Sequence, residues 1–211
     1  MHKTKISYSD LVWNPVTGCS KISEGCRNCT AEKILNRLQA RNLPEYKNGF
    51  NLTLQEESVF EPLHVRKNKT ILVNNLSDTF HEDIPKEYIQ WIFQVMSKAT
   101  KHRFLVCTKR IERAMELQDE LEWPTNIWLG VSVENADYVY RIEKLKQIRA
   151  HNKFIEFAPL IGPIESVNLS GIDRIIIAGE RGKNRRHMFK SWVDSLISNA
   201  ESQNVPYHLE S

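Results

Sequence analysis

Short apolar stretches alternate with helical patterns along most of the chain, and this alternation limits the fold more than any other feature. Five stretches are apolar at consecutive positions: 70–74, 104–107, 127–133, 154–157 and 174–178. Strands of this kind are typical of a parallel sheet that is covered on both faces. Weaker strand patterns occupy 10–13, 51–54 and 206–209. The pattern therefore predicts a mainly parallel sheet.

The segments between these strands carry apolar residues at helical spacing. Ile34, Leu35 and Leu38 share one face of a helix predicted over 31–43, and Pro85 marks the start of the next helix. Further helices are predicted over 111–121, 136–148 and 189–199. Repeated alternation of strand and helix predicts an α/β fold.

Polar or special residues follow several of the predicted strands. They are Asn74-Asn75, Cys107-Thr108-Lys109, Ser132-Val133-Glu134-Asn135, Glu156-Phe157-Ala158-Pro159 and Gly179-Glu180-Arg181. Polar strand ends in successive units are typical of a barrel whose site lies at its carboxyl rim. A complete eightfold barrel takes about 250 residues, whereas this chain has 211. We therefore predict one domain over 1–211 with a partial or compact (β/α) barrel, related to the TIM barrel; a doubly wound sheet is the alternative.

Composition and charge narrow the class of protein. Hydrophobic residues make up 41% of the chain and charged residues 26%, which predicts a globular core. The formal net charge of +3 permits a nucleic-acid partner without requiring one. No apolar run reaches the roughly 18–20 residues of a membrane span, and the first residues lead into no signal-peptide core. We expect a cytoplasmic protein that has no membrane partner.

Three of the four cysteines fall within eleven residues, at Cys19, Cys26 and Cys29. Their loop, 17–30, lies between a short strand pattern and a helix pattern. Thiolates so placed are expected to converge on a metal, with the helix N-terminus and Lys21 or Arg27 offsetting their charge. A cubane iron–sulfur cluster held by three cysteines keeps one iron open, whereas a structural zinc takes four ligands. The odd number of thiols favours the cluster.

A structural zinc site completed by Cys107 or a histidine is the alternative at this loop. Cys107 lies within the apolar strand predicted over 104–107, where a cysteine most often acts as a small core residue.

The loop and the strand ends together resemble a known family. The opening segments, 12–21 and 25–32 (VWNPVTGCSK and GCRNCTAE), resemble the opening motif of the phage-borne three-cysteine-motif proteins, a group of radical S-adenosylmethionine (SAM) proteins. The resemblance continues through 71–85, 105–110, 126–135, 154–164 and 178–182. It covers nearly the whole chain, with the motifs in order.

The resemblance implies a radical-SAM-like partial barrel with a [4Fe-4S] cluster on Cys19, Cys26 and Cys29. SAM would chelate the open iron, and an electron from an external donor would cleave it to methionine and a 5′-deoxyadenosyl radical that abstracts a substrate hydrogen. It also implies the cytoplasm of a bacterium or of a phage-infected host. The first gap of the C-x6-C-x2-C pattern is longer than in the wider superfamily.

The chain departs from its relatives at the expected ligand pocket. Thr30 stands where an aromatic tyrosine is usual, and Ala158 where a glutamate precedes Pro-Leu. Glu156 shares a strand face with position 158 and is a candidate for the missing carboxylate, one layer deeper in the barrel. These departures predict an altered SAM or substrate pocket.

The strand ends on the barrel rim are expected to contact the ligands that the resemblance implies, although the pair Lys109-Arg110 is alternatively only solvated. Asn74 and Asn75 are expected at the adenosine, Lys109 at the SAM carboxylate and Glu134 at the ribose hydroxyls. Other candidates for the cofactor are Ser77, Ser132, Gly179 and Glu180, and the catalytic candidates are Glu156, Asp78 and His81. A helix cap with an acidic first turn is the alternative for 77–83, and Ser132 and Asn135 are alternatively caps of the next helix.

The most basic stretch, 181–187, lies in a late loop of the predicted barrel, where phosphate sites often form. Its candidates for phosphate or nucleic acid are Arg181, Lys183, Arg185 and Arg186. A solvated loop is the alternative. The sequence thus predicts a radical SAM enzyme that modifies or repairs a nucleic-acid or nucleotide-like substrate. The alternative is a non-catalytic zinc- or cluster-binding protein on a degenerate barrel that binds nucleic acid or a partner protein.

Overall fold

The computed structural model describes residues 1–210, and its centre is a curled eight-stranded sheet that forms half of a barrel. The strands are β1 (His2–Lys3), β2 (Leu11–Trp13), β3 (Val16–Thr17), β4 (Thr53–Leu54), β5 (Thr70–Val73), β6 (Arg103–Thr108), β7 (Ile127–Ser132), β8 (Asn152–Phe157), β9 (Arg174–Ala178) and β10 (Tyr207–Glu210). The sheet order is β1-β2-β5-β6-β7-β8-β9-β10, and every pair is parallel except β1–β2. Strands β3 and β4 form a separate antiparallel ribbon.

Helices connect the parallel strands except β8 and β9, whose connection over 158–173 contains none. They are α1 (Thr30–Gln39), α2 (Glu61–His64), α3 (Lys86–Lys98), α4 (Ile111–Leu117), α5 (Tyr140–Lys146) and α6 (Lys190–Ser202). Short 3-10 turns occupy Glu24–Cys26, Pro44–Tyr46, Glu56–Ser58, Gln118–Glu120 and Ala136–Tyr138. No helix within residues 1–210 has the length and apolar character needed to span a membrane.

Alternate strand residues pack into two different apolar groups, as the two-residue period of a strand requires. The larger group lies between the sheet and the helices. The smaller one takes one residue from each of five strands: Val12, Leu72, Leu105, Phe154 and Ile176. We call these five residues the inner layer. Because a residue two positions further along a strand faces the same side, Cys107 and Glu156 follow the inner layer toward the carboxyl ends of β6 and β8.

The segment between β1 and β2, residues 4–10, connects the two edges of the sheet. The backbone amide of Ser7 donates to Glu210 Oε2 at 3.0 Å, and Ser7 Oγ lies 2.7 Å from Nε2 of His208. Both partners belong to β10, the edge strand opposite β1. The Tyr8 hydroxyl reaches the middle of the sheet and donates to Glu156 Oε1 at 3.0 Å. This segment therefore fills part of the gap that the missing strands of a full barrel leave.

The structure confirms the predicted alternation of strand and helix. It also confirms that the sheet is curled into part of a barrel. The five main strands and the weaker segments 10–13 and 206–209 all join the sheet, with ends displaced by one or two residues. Segment 51–54 instead pairs with β3, outside the sheet. The first helix ends at Gln39 rather than 43, since Leu43 precedes a proline and is extended. Residue 211, the end of the predicted domain, lies outside the described residues.

Candidate functional site

A cavity of ≈ 510 Å³ opens at the carboxyl ends of the strands, and all three clustered cysteines line it. Its wall combines the cysteine loop, the ends of β5 to β9 and residues of segment 4–10. Further predicted residues on this wall are Asn74, Asn75, Ser77, Asp78, Lys109, Ser132, Glu156, Gly179, Glu180 and Arg181. Thr30 and Ala158, the two positions where the sequence departs from the motifs it resembles, lie there as well.

The cysteine loop is shaped by a close backbone contact at its start. Gly18 has a φ of +80°, and a Cβ at this position would lie 2.2 Å from the carbonyl oxygen of Asn51. Only glycine combines this dihedral with so close an approach. Cys26 ends a 3-10 turn and Cys29 immediately precedes α1. The three thiols are free and partly exposed.

Arg110, which follows β6, holds the Cys19 side of the loop. Its Nη1 lies 3.6 Å from Cys19 Sγ, and its Nη2 donates to the carbonyl oxygen and the hydroxyl of Ser20 at 3.2 and 2.7 Å. Burial raises the pKa of the Cys19 thiol to about 11, against the lowering effect of the guanidinium. Arg110 thus attaches the cysteine loop to the end of β6, although it was not among the predicted site residues.

Asp78 orients that arginine. Its carboxylate accepts from Thr108 Oγ1 at 2.7 Å, from the Lys109 backbone amide at 3.0 Å and from Arg110 Nη1 at 3.3 Å. These bonds hold Asp78 against the end of β6, and Asp78 still lines the cavity, so its contact with a ligand stays a prediction. His81, the other catalytic candidate of this segment, does not line the cavity: it is buried, and its Nε2 accepts from the Ser20 amide at 3.2 Å.

Glu134 also lies elsewhere than predicted. It is fully buried beneath the cysteine loop and does not line the cavity. One carboxylate oxygen binds Lys109 Nζ and Ser23 Oγ, and the other accepts from Arg141 Nη1 at 2.9 Å. These bonds leave Glu134 unable to reach a ribose in the cavity. Gly25 is packed directly against it, since a Cβ there would lie 2.6 Å from Glu134 Cγ.

Lys109 therefore both lines the cavity and binds Ser23 of the cysteine loop and the buried Glu134. Its ammonium, predicted for the SAM carboxylate, pairs with Glu134. Although burial raises the pKa of the Cys26 thiol, the Lys109 charge and the Ser23 hydroxyl lower it below its ordinary value. Lys21, which was expected to offset the thiolates, is paired with Glu32 at 2.7 Å.

The two asparagines that follow β5 differ: the side chain of Asn74 is hydrogen-bonded within the fold, whereas that of Asn75 has an acceptor without a partner in the part of the chain that the structure describes. Asn74 is buried, accepts from the Val16 amide at 3.0 Å and donates to Thr79 Oγ1 at 2.9 Å. The side-chain oxygen of Asn75 is buried and finds no hydrogen-bond partner among the described residues. Ser77 Oγ donates to the Gly18 carbonyl at 2.6 Å and so supports the cysteine loop.

Two further side chains line the cavity although neither is among the predicted catalytic or SAM-binding residues. Tyr8 carries no strand or helix signal that would place it there, and Cys107 was expected in the core. Cys107 packs against the inner layer, but it also faces the cavity, with its Sγ 3.4 Å from Ser132 Oγ. Tyr8, Cys107, Ser132 and Glu156 together form the polar bottom of the cavity.

The basic stretch 181–187 is only partly available for an anion. Arg181 pairs with Glu210, and Arg186 pairs with Glu180 and Glu24. Lys183 and Arg185 are exposed. Although burial raises the pKa of Glu180, hydrogen bonds from Arg186 and Asn28 lower it to about 2.

Within residues 1–210, no three His, Cys, Asp or Glu side chains stand at the spacing of ligands around a single metal ion. The thiolates of a cubane cluster bind different irons and so stand further apart than the donors of one ion. The loop places three free thiols, the donor type that iron–sulfur clusters take, on one cavity wall beside Arg110 and Lys109.

Comparison with known proteins gave a family but no characterised relative. No curated protein and no solved structure matched the chain. One family model matched residues 3–211, under the description "Protein of unknown function (DUF5131)". Because the match spans nearly every residue, the chain belongs to this family.

Proposed function

We propose that this protein is a radical SAM enzyme, in keeping with its resemblance to the phage-borne three-cysteine-motif proteins. Cys19, Cys26 and Cys29 would hold a [4Fe-4S] cluster, and SAM would occupy the adjoining cavity. The cluster, reduced by an external electron donor, would supply the electron that cleaves SAM to methionine and a 5′-deoxyadenosyl radical. The observation that carries the proposal is that all three thiols line one cavity at the carboxyl rim of a half-barrel.

The charges around the loop support this assignment. Metal ligation requires thiolates, and nearby cations stabilise a thiolate. Arg110 lies against Cys19, and the Lys109 charge lowers the pKa of Cys26. Their carboxylate partners fix both cations in place before any ligand arrives. The chain thus prepares the Cys26 thiol for ligation, whereas burial holds the pKa of Cys19 above its ordinary value despite Arg110.

The cavity suits a nucleoside-sized cofactor. Its volume of ≈ 510 Å³ lies within the roughly 300–1,000 Å³ typical of small-molecule sites. Buried polar atoms are rarely left without a partner, and the open acceptor of Asn75 supports a hydrogen-bond donor on a ligand. The exocyclic amine of an adenine is such a donor.

Basic side chains near the cavity mouth support a nucleic-acid or nucleotide-like substrate. Lys5 and Arg181 line the cavity, and Lys33 Nζ lies close to Gly182 of the basic stretch. Lys183 is exposed on the same stretch. Phosphate groups bind such lysines and arginines without regard to base sequence.

The decisive test is anaerobic reconstitution of the purified protein with iron and sulfide. We expect about four irons and four sulfides per chain, and 5′-deoxyadenosine after addition of SAM and dithionite. Cys19→Ser and Cys26→Ser should each lower iron content and abolish 5′-deoxyadenosine. Cys107→Ser is the matched control and should keep its iron. Stoichiometric zinc, or iron retained in both loop variants, would refute the proposal.

A cluster-holding protein without catalysis, which binds nucleic acid or a partner protein, is the second candidate. It is favoured by the ion pairs that occupy Asp78, Glu134 and Glu180, which leave few free acid–base groups at the loop. The same reconstitution separates the two, because this candidate binds iron but forms no 5′-deoxyadenosine.

A further inference from the structure

The polar side chains at the bottom of the cavity form a group that the proposed cofactor chemistry does not use. We call Tyr8, Cys107, Ser132 and Glu156 the floor group. The Tyr8 hydroxyl donates to Glu156 Oε1 at 3.0 Å, and Cys107 Sγ lies 3.4 Å from Ser132 Oγ. Ser132 and Glu156 are paired across β7 and β8. All four side chains line the cavity.

The surroundings favour the uncharged form of this group. Burial raises the pKa of Glu156 and outweighs the opposing effects of Tyr8, Cys107 and the Lys109 charge, while Glu210 raises it further. Burial and the Glu156 charge also raise the pKa values of Tyr8 and Cys107. A carboxylic acid that keeps its proton both donates and accepts hydrogen bonds in one plane.

Apolar side chains stand next to the floor group. Leu72 belongs to the inner layer and lines the cavity, and Ile6 lines the cavity while packing against the same layer. The cavity therefore combines apolar walls with a small number of convergent polar groups, the usual composition of a small-molecule site. A flat ring with a polar edge matches this combination.

We propose that the floor group binds a nucleobase of the substrate, with Glu156 pairing to a base edge that presents a hydrogen-bond donor beside an acceptor. Adenine, cytosine and thymine each carry such an edge. Tyr8 is a positioning residue, because its hydrogen bond to Oε1 holds the orientation of the carboxyl group. The inference rests on the proposed function for the nucleic-acid substrate, but it does not depend on the cluster.

The test is calorimetric titration of the anaerobically reconstituted protein with thymidine, 2′-deoxycytidine and 2′-deoxyadenosine. Glu156→Gln keeps a donor and an acceptor in one plane and should bind within about threefold of the wild-type affinity. Glu156→Leu leaves the base edge unpaired and should bind about tenfold more weakly. Thermal melting checks that each variant is folded.

The pH dependence separates recognition from a structural role. Wild-type affinity should fall as pH rises and Glu156 ionises, whereas affinity of Glu156→Gln should not change over the same range. Tyr8→Phe removes a hydrogen bond that lowers the pKa of Glu156, so the midpoint of the fall should move to higher pH.

Two results would overturn the inference: binding of none of the three nucleosides, or equal, pH-independent affinity in wild type, Glu156→Gln and Tyr8→Phe. The same titration with metal-free protein distinguishes the two proposals. Nucleoside binding with the expected pH dependence by metal-free protein supports the floor group whatever the outcome of reconstitution, whereas failure of the same protein to take up iron contradicts only the radical SAM assignment.

Discussion

Replacing Glu134 with glutamine tests the role of the buried charges beneath the cysteine loop. The substitution keeps the shape of the side chain but removes its negative charge. Lys109 and Arg141, both bound to this carboxylate, would then remain buried without a counter-ion. We expect a large loss of folding stability and, since Ser23 is also bound here, a loosened loop around Cys26.

The magnitude follows from burial. The side chain of Glu134 is 0% exposed, that of Arg141 2% and that of Lys109 20%. Removing one partner of a buried ion pair costs about 3–5 kcal/mol. Domains of this kind have a total stability of only about 5–15 kcal/mol. The variant should therefore unfold at a much lower urea concentration than the wild type.

Glu112→Gln provides the matched control, because Glu112 also pairs with a lysine but on the surface. The side chains of Glu112 and Lys144 are 48% and 36% exposed. Such pairs contribute about 0–1 kcal/mol. Urea unfolding followed by circular dichroism compares the two variants. Equal losses in both, or a loss below about 1 kcal/mol for Glu134→Gln, would show that the buried network does not stabilise the fold.

Three further predictions concern packing, thiol reactivity and pH. Gly130→Ala places a Cβ 2.5 Å from the Phe154 ring and should lower the free energy of unfolding by about 1–3 kcal/mol in urea titrations. In metal-free protein near neutral pH, iodoacetamide should modify Cys26 before Cys19, because the pKa of Cys26 is lowered and that of Cys19 is raised to about 11. Mass spectrometry of digested samples measures the order of modification. Hydrogen bonds lower the pKa of Glu180 to about 2. The ionised carboxylate therefore stabilises the fold above the unfolded pKa of about 4.3, and this stabilisation is lost as pH falls toward 2. The free energy of unfolding of Glu180→Gln should fall less steeply than that of the wild type over this window, and parallel curves of stability against pH would contradict this.

The main strands were predictable because their pattern depends on local sequence. Residues 175–178 are apolar at every position, which is typical of a strand covered on both faces. Segment 51–54 has a weaker, alternating pattern, and it pairs with β3 outside the sheet. Its partner is set by the path of the cysteine loop, and no short stretch of sequence contains that information.

Site residues were predictable where they directly follow a strand. They were not predictable where their position depends on ion pairs with residues distant in the sequence. Asn75 and Glu156 were placed on the cavity wall from strand ends and from the two-residue period. Glu134 follows a strand in the same way, but two cations from other elements draw it beneath the loop. Tyr8 reaches Glu156 from 148 positions away, a contact that depends on how the sheet curls.

The charge balance at the loop determines how metal would bind. Arg110 is matched by Asp78 and Glu82, and Lys109 by Glu134, so these cations bring little net positive charge to the thiols. Their effect on Cys19 is too weak to overcome its burial, and this thiol keeps its proton until a metal displaces it. Because Cys26 ionises more readily, a metal would first meet a thiolate there. The buried carboxylates therefore position the loop, while much of the energy that deprotonates Cys19 must come from the metal itself.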